Sequence, residues 1–170
     1  TPLYSSAASD VYKRQLYCMM NNRTWDHTAP GAVVLPSGRV VLGRALSKPR
    51  PLQRDPELGI YLSFRPPRDT PWDSRWIQWA DFWIPSSRPD AYASLTEAWK
   101  RSAAERVEVA CRGGIGRTGT ALAVLAVLDG IEPRAAIKYI RENYHPRAVE
   151  TPWQRRWVTR LPEGAGGASC

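Results

Sequence analysis

At 170 residues, 43% hydrophobic and 24% charged, the chain has the make-up of one ordinary globular domain with a sizeable core. Its formal charge of +8 favours anionic substrates or surfaces. Three scattered cysteines (Cys18, Cys111 and Cys170) argue against a disulfide framework or a zinc site and favour a reducing, cytoplasmic setting, and no stretch reaches the roughly 18–20 apolar residues of a membrane span.

Residues 1–22 read as a disordered or non-native leader. TPLYSSAASDVYKRQ lacks periodicity and the charged-then-apolar organisation of a signal peptide, and Met19 or Met20 is a natural start. A single domain is expected over 23–162. Ala32–Leu35 and Val40–Leu42 flank Pro36-Ser37-Gly38 as a β-hairpin. Arg39, Arg44, Lys48, Arg50 and Arg54 then follow one another with no acid between them, the pattern of a solvated basic loop. Leu58–Leu62 reads as a short buried strand, Pro66, Pro67 and Pro71 break the chain into an irregular loop, and Trp76–Trp79 reads as the next strand. Residues 90–104 predict an amphipathic helix with Tyr92, Leu95, Trp99 and Ala103 on one face.

The next stretch, VEVACRGGIGRTGTALAVLAVL over 107–128, carries the chemistry. Val107 to Val109 is a strand, the glycines of 113–116 allow a tight curl, and the apolar run from Ala121 to Leu128 is a core helix. A curled loop ending at a helix N-terminus turns several N–H groups inward and adds the positive end of the helix dipole, making a cradle of phosphate size. Arg117 can bind two oxygens of one anion with its planar fork. The field that holds an anion also favours a thiolate at Cys111, which then lies beneath a bound phosphate for in-line attack. Two plainer readings stand beside this one: a core cysteine next to a glycine turn, and a nucleotide P-loop, which would need a lysine and other glycine spacing.

Pro133 suits the first turn of a further helix carrying Ala136, Ile137, Ile140 and Tyr144 on one side. Thr151-Pro152 opens another, as N-cap and N1, with Trp153, Trp157 and Leu161 at i, i+4 and i+8; these tryptophans read as core. Residues 163–170 read as a flexible tail.

The run CRGGIGRTG resembles the signature of the cysteine-dependent protein tyrosine and dual-specificity phosphatases across strand, loop and helix start. Rhodanese-like and arsenate-reductase loops also use Cys and Arg, but the Gly116-Arg117-Thr118-Gly119 ending fits the phosphatases better. WADFWIP resembles their general-acid loop, with Ala80 where proline is usual and Asp81 thirty residues before Cys111. The turn from His145 to Gln154 resembles the segment that places water in the second step, with Glu150 where the first glutamine falls and Gln154 kept.

The resemblance implies a three-layer α/β fold with a mostly parallel central sheet flanked by helices, in keeping with the alternation of strands and helices. It implies that Cys111 is the nucleophile, that Arg117 clamps phosphate within the loop of Arg112, Gly113, Gly114, Ile115 and Gly116, and that Asp81 is general acid and then base. It gives Thr118 the task of easing the thiolate's departure, and Gln154 either that of holding water or of a helix-surface glutamine. His145 and Arg147 would flank the site. No metal or organic cofactor is implied, and the expected substrate is a phosphorylated protein or small phosphomonoester. Ala110 replaces the histidine usual before the nucleophile, which implies reduced or shifted activity and keeps a non-catalytic phosphate-binding module as an alternative. Arg112 also admits a phosphoinositide substrate, although Ile115 departs from that pattern. Charge alone raises an RNA 5′-end phosphatase, but aromatic platforms interleaved with Arg and Lys cannot be placed, so nucleic acid is not an expected partner.

Overall fold

The computed structural model describes residues 23–50 and 54–162. The expectations for the leader and the tail lie outside the described residues. Within them the chain runs β1 (Ala32–Val34), β2 (Val40–Ala45), β3 (Leu58–Ser63), β4 (Asp73–Gln78), α1 (Arg88–Arg101), β5 (Val107–Cys111), α2 (Gly116–Leu128), α3 (Pro133–Asn143) and α4 (Pro152–Thr159). The sheet order is β1-β2-β5-β3-β4, with β1 antiparallel to β2 and every other pairing parallel.

β5 therefore lies at the centre, and all five of its residues are buried. Its last residue, Cys111, is in register with Ala45 at the end of β2 and with Leu62 in β3. The loops leaving these strands converge at their carboxyl ends, which is where parallel sheets bind ligands.

Strand alternation divides the sheet into two unlike faces. Leu58, Ile60, Leu62, Val107, Val109 and Cys111 share one core with residues of all four helices. α2 crosses the middle of that core, and every one of its residues is buried. This explains why its sequence is apolar all round instead of striped. Each fully buried Leu or Val there contributes roughly 1.5–3 kcal/mol. The back end of α2 is clasped to the hairpin: the carboxylate of Asp129, its C-cap, accepts the Ser37 N–H (2.8 Å), the Ser37 hydroxyl (2.6 Å) and Trp99 Nε1–H (2.8 Å).

The other face is covered differently. Trp25 packs with Val40 and Leu42 and donates its indole N–H to Val107 O at 2.7 Å. Beside it the buried carboxylate of Glu108 takes Arg44 (3.1 Å) and Arg50 (2.6 Å) and accepts the Tyr61 hydroxyl at 3.3 Å. Trp72 completes the cluster, donating to Tyr61 Oη at 2.7 Å and stacking under the Arg50 guanidinium. Burial, followed by the charge of Glu108, pushes the Tyr61 pKa up to about 12. The expectation of a solvated basic loop is thus corrected for Arg44 and Arg50, whose side chains are only 13% and 18% exposed. A buried carboxylate needs such partners. A helical layer on this face does not occur among the described residues.

Candidate active site

The loop from Cys111 to Gly116 is held from several sides. Leu46 N–H donates to Cys111 O (2.8 Å) and Ser47 N–H to Arg112 O (3.1 Å), so the strand pairing of β2 continues into the loop. Gly114 has φ +67, and a Cβ there would meet Ala45 N at 2.7 Å, so conformation and space both require glycine. Its carbonyl accepts the Tyr144 hydroxyl. The Tyr144 ring in turn lies on Gly43, where any side chain would overlap it. Burial, followed by the proximity of Cys111, holds the Tyr144 pKa well above the usual tyrosine value, so it remains a neutral donor. Ile115 is the N-cap of α2 and makes no side-chain cap bond. The first-turn N–H groups of α2 therefore have no capping side chain, and the dipole's positive end lies at the loop.

Cys111 is 2% exposed, and its Sγ accepts the Gly114 N–H at 3.2 Å. Two donors of the first turn of α2, Arg117 Nε and Thr118 Oγ1, are buried without a hydrogen-bond partner. Buried polar groups are rarely left so, because an unmade bond costs about 1–3 kcal/mol. The rest of the Arg117 fork is fixed: Nη1 donates to Trp79 O at 3.0 Å, and Nη2 lies 3.2 Å from Asp81 Oδ1. Arg112 and Gly113 form the exposed rim.

Asp81 reaches this cradle from the carboxyl end of the edge strand β4, two strands away from β5. Trp79, fully buried beyond the end of β4, pairs with Pro85 across a single antiparallel bridge, and the residues between them form the loop expected to carry the acid, called the acid loop below. Asp81 is 61% exposed, and Phe82 adopts φ +55, uncommon for a residue with a large side chain. Phe82 and Trp83 both project outward, 58% and 54% exposed. The loop rests on α4: Trp153 Nε1–H donates to Phe82 O, its ring lies 5.0 Å from that of Trp83, and Gln154 Nε2–H donates to Trp83 O at 3.0 Å.

Gln154 is fully buried and completes a capping box with Thr151, its Oε1 accepting the N–H groups of Glu150 (3.0 Å) and Thr151 (3.3 Å). Its amide thus joins the acid loop to the 150–151 turn, and it is not the helix-surface residue that its position suggested. Glu150 approaches the cradle itself, since a Cβ on Gly116 would collide with its Oε2. Sequence reasoning placed Glu150 where the family's first glutamine falls but assigned it no role of its own. Arg147 N–H donates to His145 Nδ1 at 3.1 Å, and no hydrogen bond among the described residues joins either residue to Cys111, Arg117 or Asp81. Trp157 is core, as expected, meeting Trp79 edge-on at 5.5 Å, whereas Trp153 is 41% exposed.

Ala110 is fully buried and in register with Arg44 and Tyr61. It shares the face of Glu108, two residues earlier, so the ion cluster occupies the side of the strand toward which a histidine at 110 would project.

The family model for the protein-tyrosine phosphatase domain matches residues 63–157, more than half of the chain. A solved structure, the crystal structure of Tk-PTP in the active form, superposes with a TM-score of 0.54 at 26% identity, over 63% of this chain and 78% of that one. Two uncharacterized proteins of Methanocaldococcus jannaschii are each 52% identical over 54 and 52 residues. Those matches span about a third of the length of the curated relatives (33% and 34%) and 32% and 31% of this chain.

Proposed function

The chain belongs to the protein-tyrosine phosphatase family, and from that premise we propose that it hydrolyses phosphoric monoesters through a phosphate ester of Cys111. The observation that carries this reading is the set of groups around one loop: a sulfur at the end of the central strand accepting a backbone N–H, and two buried donors, Arg117 Nε and Thr118 Oγ1, without partners.

In the first step the Cys111 thiolate attacks phosphorus and the bond to the leaving oxygen breaks. The loop amides and the Arg117 fork hold the equatorial oxygens. Asp81, protonated, gives its proton to the departing alkoxide or phenolate, an assistance worth about 10²–10⁴-fold. In the second step water attacks phosphorus, its proton passes to the Asp81 carboxylate, and the S–P bond breaks. The Gly114 N–H and the Thr118 hydroxyl receive the thiolate. Glu150, against Gly116, is a second carboxylate beside the cradle, and Gln154 holds the turn that carries it. No step calls for a metal ion.

We take the substrate to be a phosphorylated protein side chain or a small aryl phosphomonoester, because Phe82, Trp83 and Trp153 make an exposed aromatic rim on the acid-loop side. A free nucleophilic thiol further suits a reducing compartment such as the cytoplasm. The test is phosphate release from p-nitrophenyl phosphate by the full chain with EDTA present. Turnover is expected to persist with EDTA and to fall at least about 10³-fold in Cys111→Ser, with vanadate binding kept. Full turnover in Cys111→Ser would exclude Cys111 as nucleophile. Folded wild-type protein that binds vanadate without turning over would instead be a phosphate reader, and Ala110 the first residue to restore to histidine.

A further inference from the structure

A second cavity, of about 540 Å³, lies between the start of α1 and the end of α4, behind the acid loop. Its floor is apolar and aromatic, with Tyr92, Trp153 and Trp157 among the lining residues, and Arg88, Arg156 and Arg160 stand around it. Among the described residues no ion pair engages any of these three guanidinium groups, so all three are available to an anion. Arg88 is also the first residue of α1, at the end of a helix where the dipole favours negative charge. All three side chains are exposed, and Asp90 in the first turn of α1 already complements the dipole, so what marks the cluster is its place around an apolar floor, where an anionic head would meet three cations.

The volume is that of a site for one small organic molecule, and apolar walls with a few charged groups at the mouth are the usual construction of such sites. We propose that this cavity binds a small amphiphilic anion, with its apolar body against Tyr92, Trp153 and Trp157 and its carboxylate, sulfonate or phosphate head among Arg88, Arg156 and Arg160. The site connects to the loop of Asp81 and to Arg117 by two short routes. Trp153 holds the acid loop through Phe82 O and the Trp83 ring. Trp157 packs on Trp79, whose carbonyl fixes Arg117. A ligand that shifts either tryptophan therefore shifts the acid loop or the phosphate clamp, and occupancy modulates turnover. This second part rests on the phosphatase reading; the binding does not.

The experiment titrates the full chain with 8-anilinonaphthalene-1-sulfonate, read by its fluorescence and by calorimetry, beside the uncharged N-phenyl-1-naphthylamine. One saturable site is expected, at least tenfold weaker for the neutral dye and weakened by raising sodium chloride from 50 to 500 mM. The Arg156→Glu/Arg160→Glu pair should weaken the sulfonate at least tenfold, with its thermal melt showing that it folds. Arg134→Glu, in the separate basic cleft between α3 and α4, should leave it unchanged. No saturable binding, equal affinity for the two dyes, or equal losses in both variants would overturn the site, and the dye pair decides even if the double variant fails to fold. Phosphate release measured along the same titration should change with the same midpoint. Saturation with turnover unmoved would overturn the coupling while leaving the site in place. Absent turnover in the unliganded chain would count against the phosphatase reading alone, because the binding measurement is independent of it.

Discussion

The proposed chemistry brings two loops together, and they are built on opposite principles. The Cys111–Gly116 loop is a continuation of the sheet: β2 reaches into it through Leu46 and Ser47, Tyr144 holds its carbonyl, and Ala45 leaves Gly114 no room for a side chain. The loop of Asp81 meets the sheet only at its ends, through the Trp79–Pro85 bridge and the Ser86 N–H to Gln78 O bond. Between them it is held by single side chains, Arg117 at Asp81, Trp79 Nε1–H at Trp83 O, and Trp153 and Gln154 from α4, with Asp81, Phe82 and Trp83 all exposed. A cradle for developing charge works best when it need not reorganise. An arm that delivers a proton must admit substrate and release product, and loops that do this come from the less stable parts of a fold.

The sharpest test of the contrast is Asp81→Asn. It removes the proposed proton donor and leaves the cradle's own donors in place, so kcat for p-nitrophenyl phosphate should fall by about 10²–10⁴ while vanadate affinity is kept. Equal losses in both would mean that Asp81 organises the cradle through Arg117 instead of serving as the acid. Gly114→Ala attacks the cradle. A positive φ costs a side-chain residue about 1–3 kcal/mol, to which the overlap with Ala45 adds, so urea denaturation should show a marked loss of stability and anion binding should fail together with turnover. Gln154→Ala loosens the support of the arm and the 150–151 turn while leaving Asp81 and the loop of Cys111 in place. The lost cap and the lost bond to Trp83 should cost about 1–2 kcal/mol, with a smaller fall in kcat than Asp81→Asn and vanadate affinity unchanged.

The smallest effect lies away from both loops and calibrates them. Hydrogen bonds from Arg101 and then Arg75 hold the Asp73 carboxyl at about 2. Because the folded value lies below the unfolded one, this contribution is present above about pH 4 and is lost as pH falls toward 2. Asp73 is close to solvent, so the amount is under about 1 kcal/mol. The difference in urea midpoint between wild type and Asp73→Asn should be visible at pH 6 and shrink at pH 2.5, with turnover at neutral pH unmoved.

What the sequence made legible follows the range of the interactions involved. The stretch from Val107 to Leu128 folds through local contacts, and its strand, curl and helix are all written in glycine placement and apolar continuity. The hairpin, the strand at 58–62 and the capped starts at Pro133 and Thr151 were legible for the same reason. The order β2-β5-β3 was not, because parallel neighbours are set by crossovers that carry no local mark. Nor was the burial of Arg44 and Arg50, since their partner lies 64 and 58 residues further along. Within the site, Cys111, Arg117 and Thr118 share one loop-and-helix start and announce themselves. Asp81 could be connected to them only by resemblance, and Gln154's hold on Trp83 spans 71 residues.

The Glu108 cluster bears on how the chain finds its strand alignment. Side chains alternate along a strand, so a slip of β5 by one residue would carry every side chain to the opposite face. Glu108 would then enter the apolar layer beneath α2, away from Arg44, Arg50 and Tyr61, at the roughly 3–5 kcal/mol that stranding a buried charge costs. The same slip would turn Cys111 away from Arg117 and Thr118. One carboxylate on the far side of the sheet thus proofreads the position of the sulfur, three residues along the strand, without ever meeting what binds there.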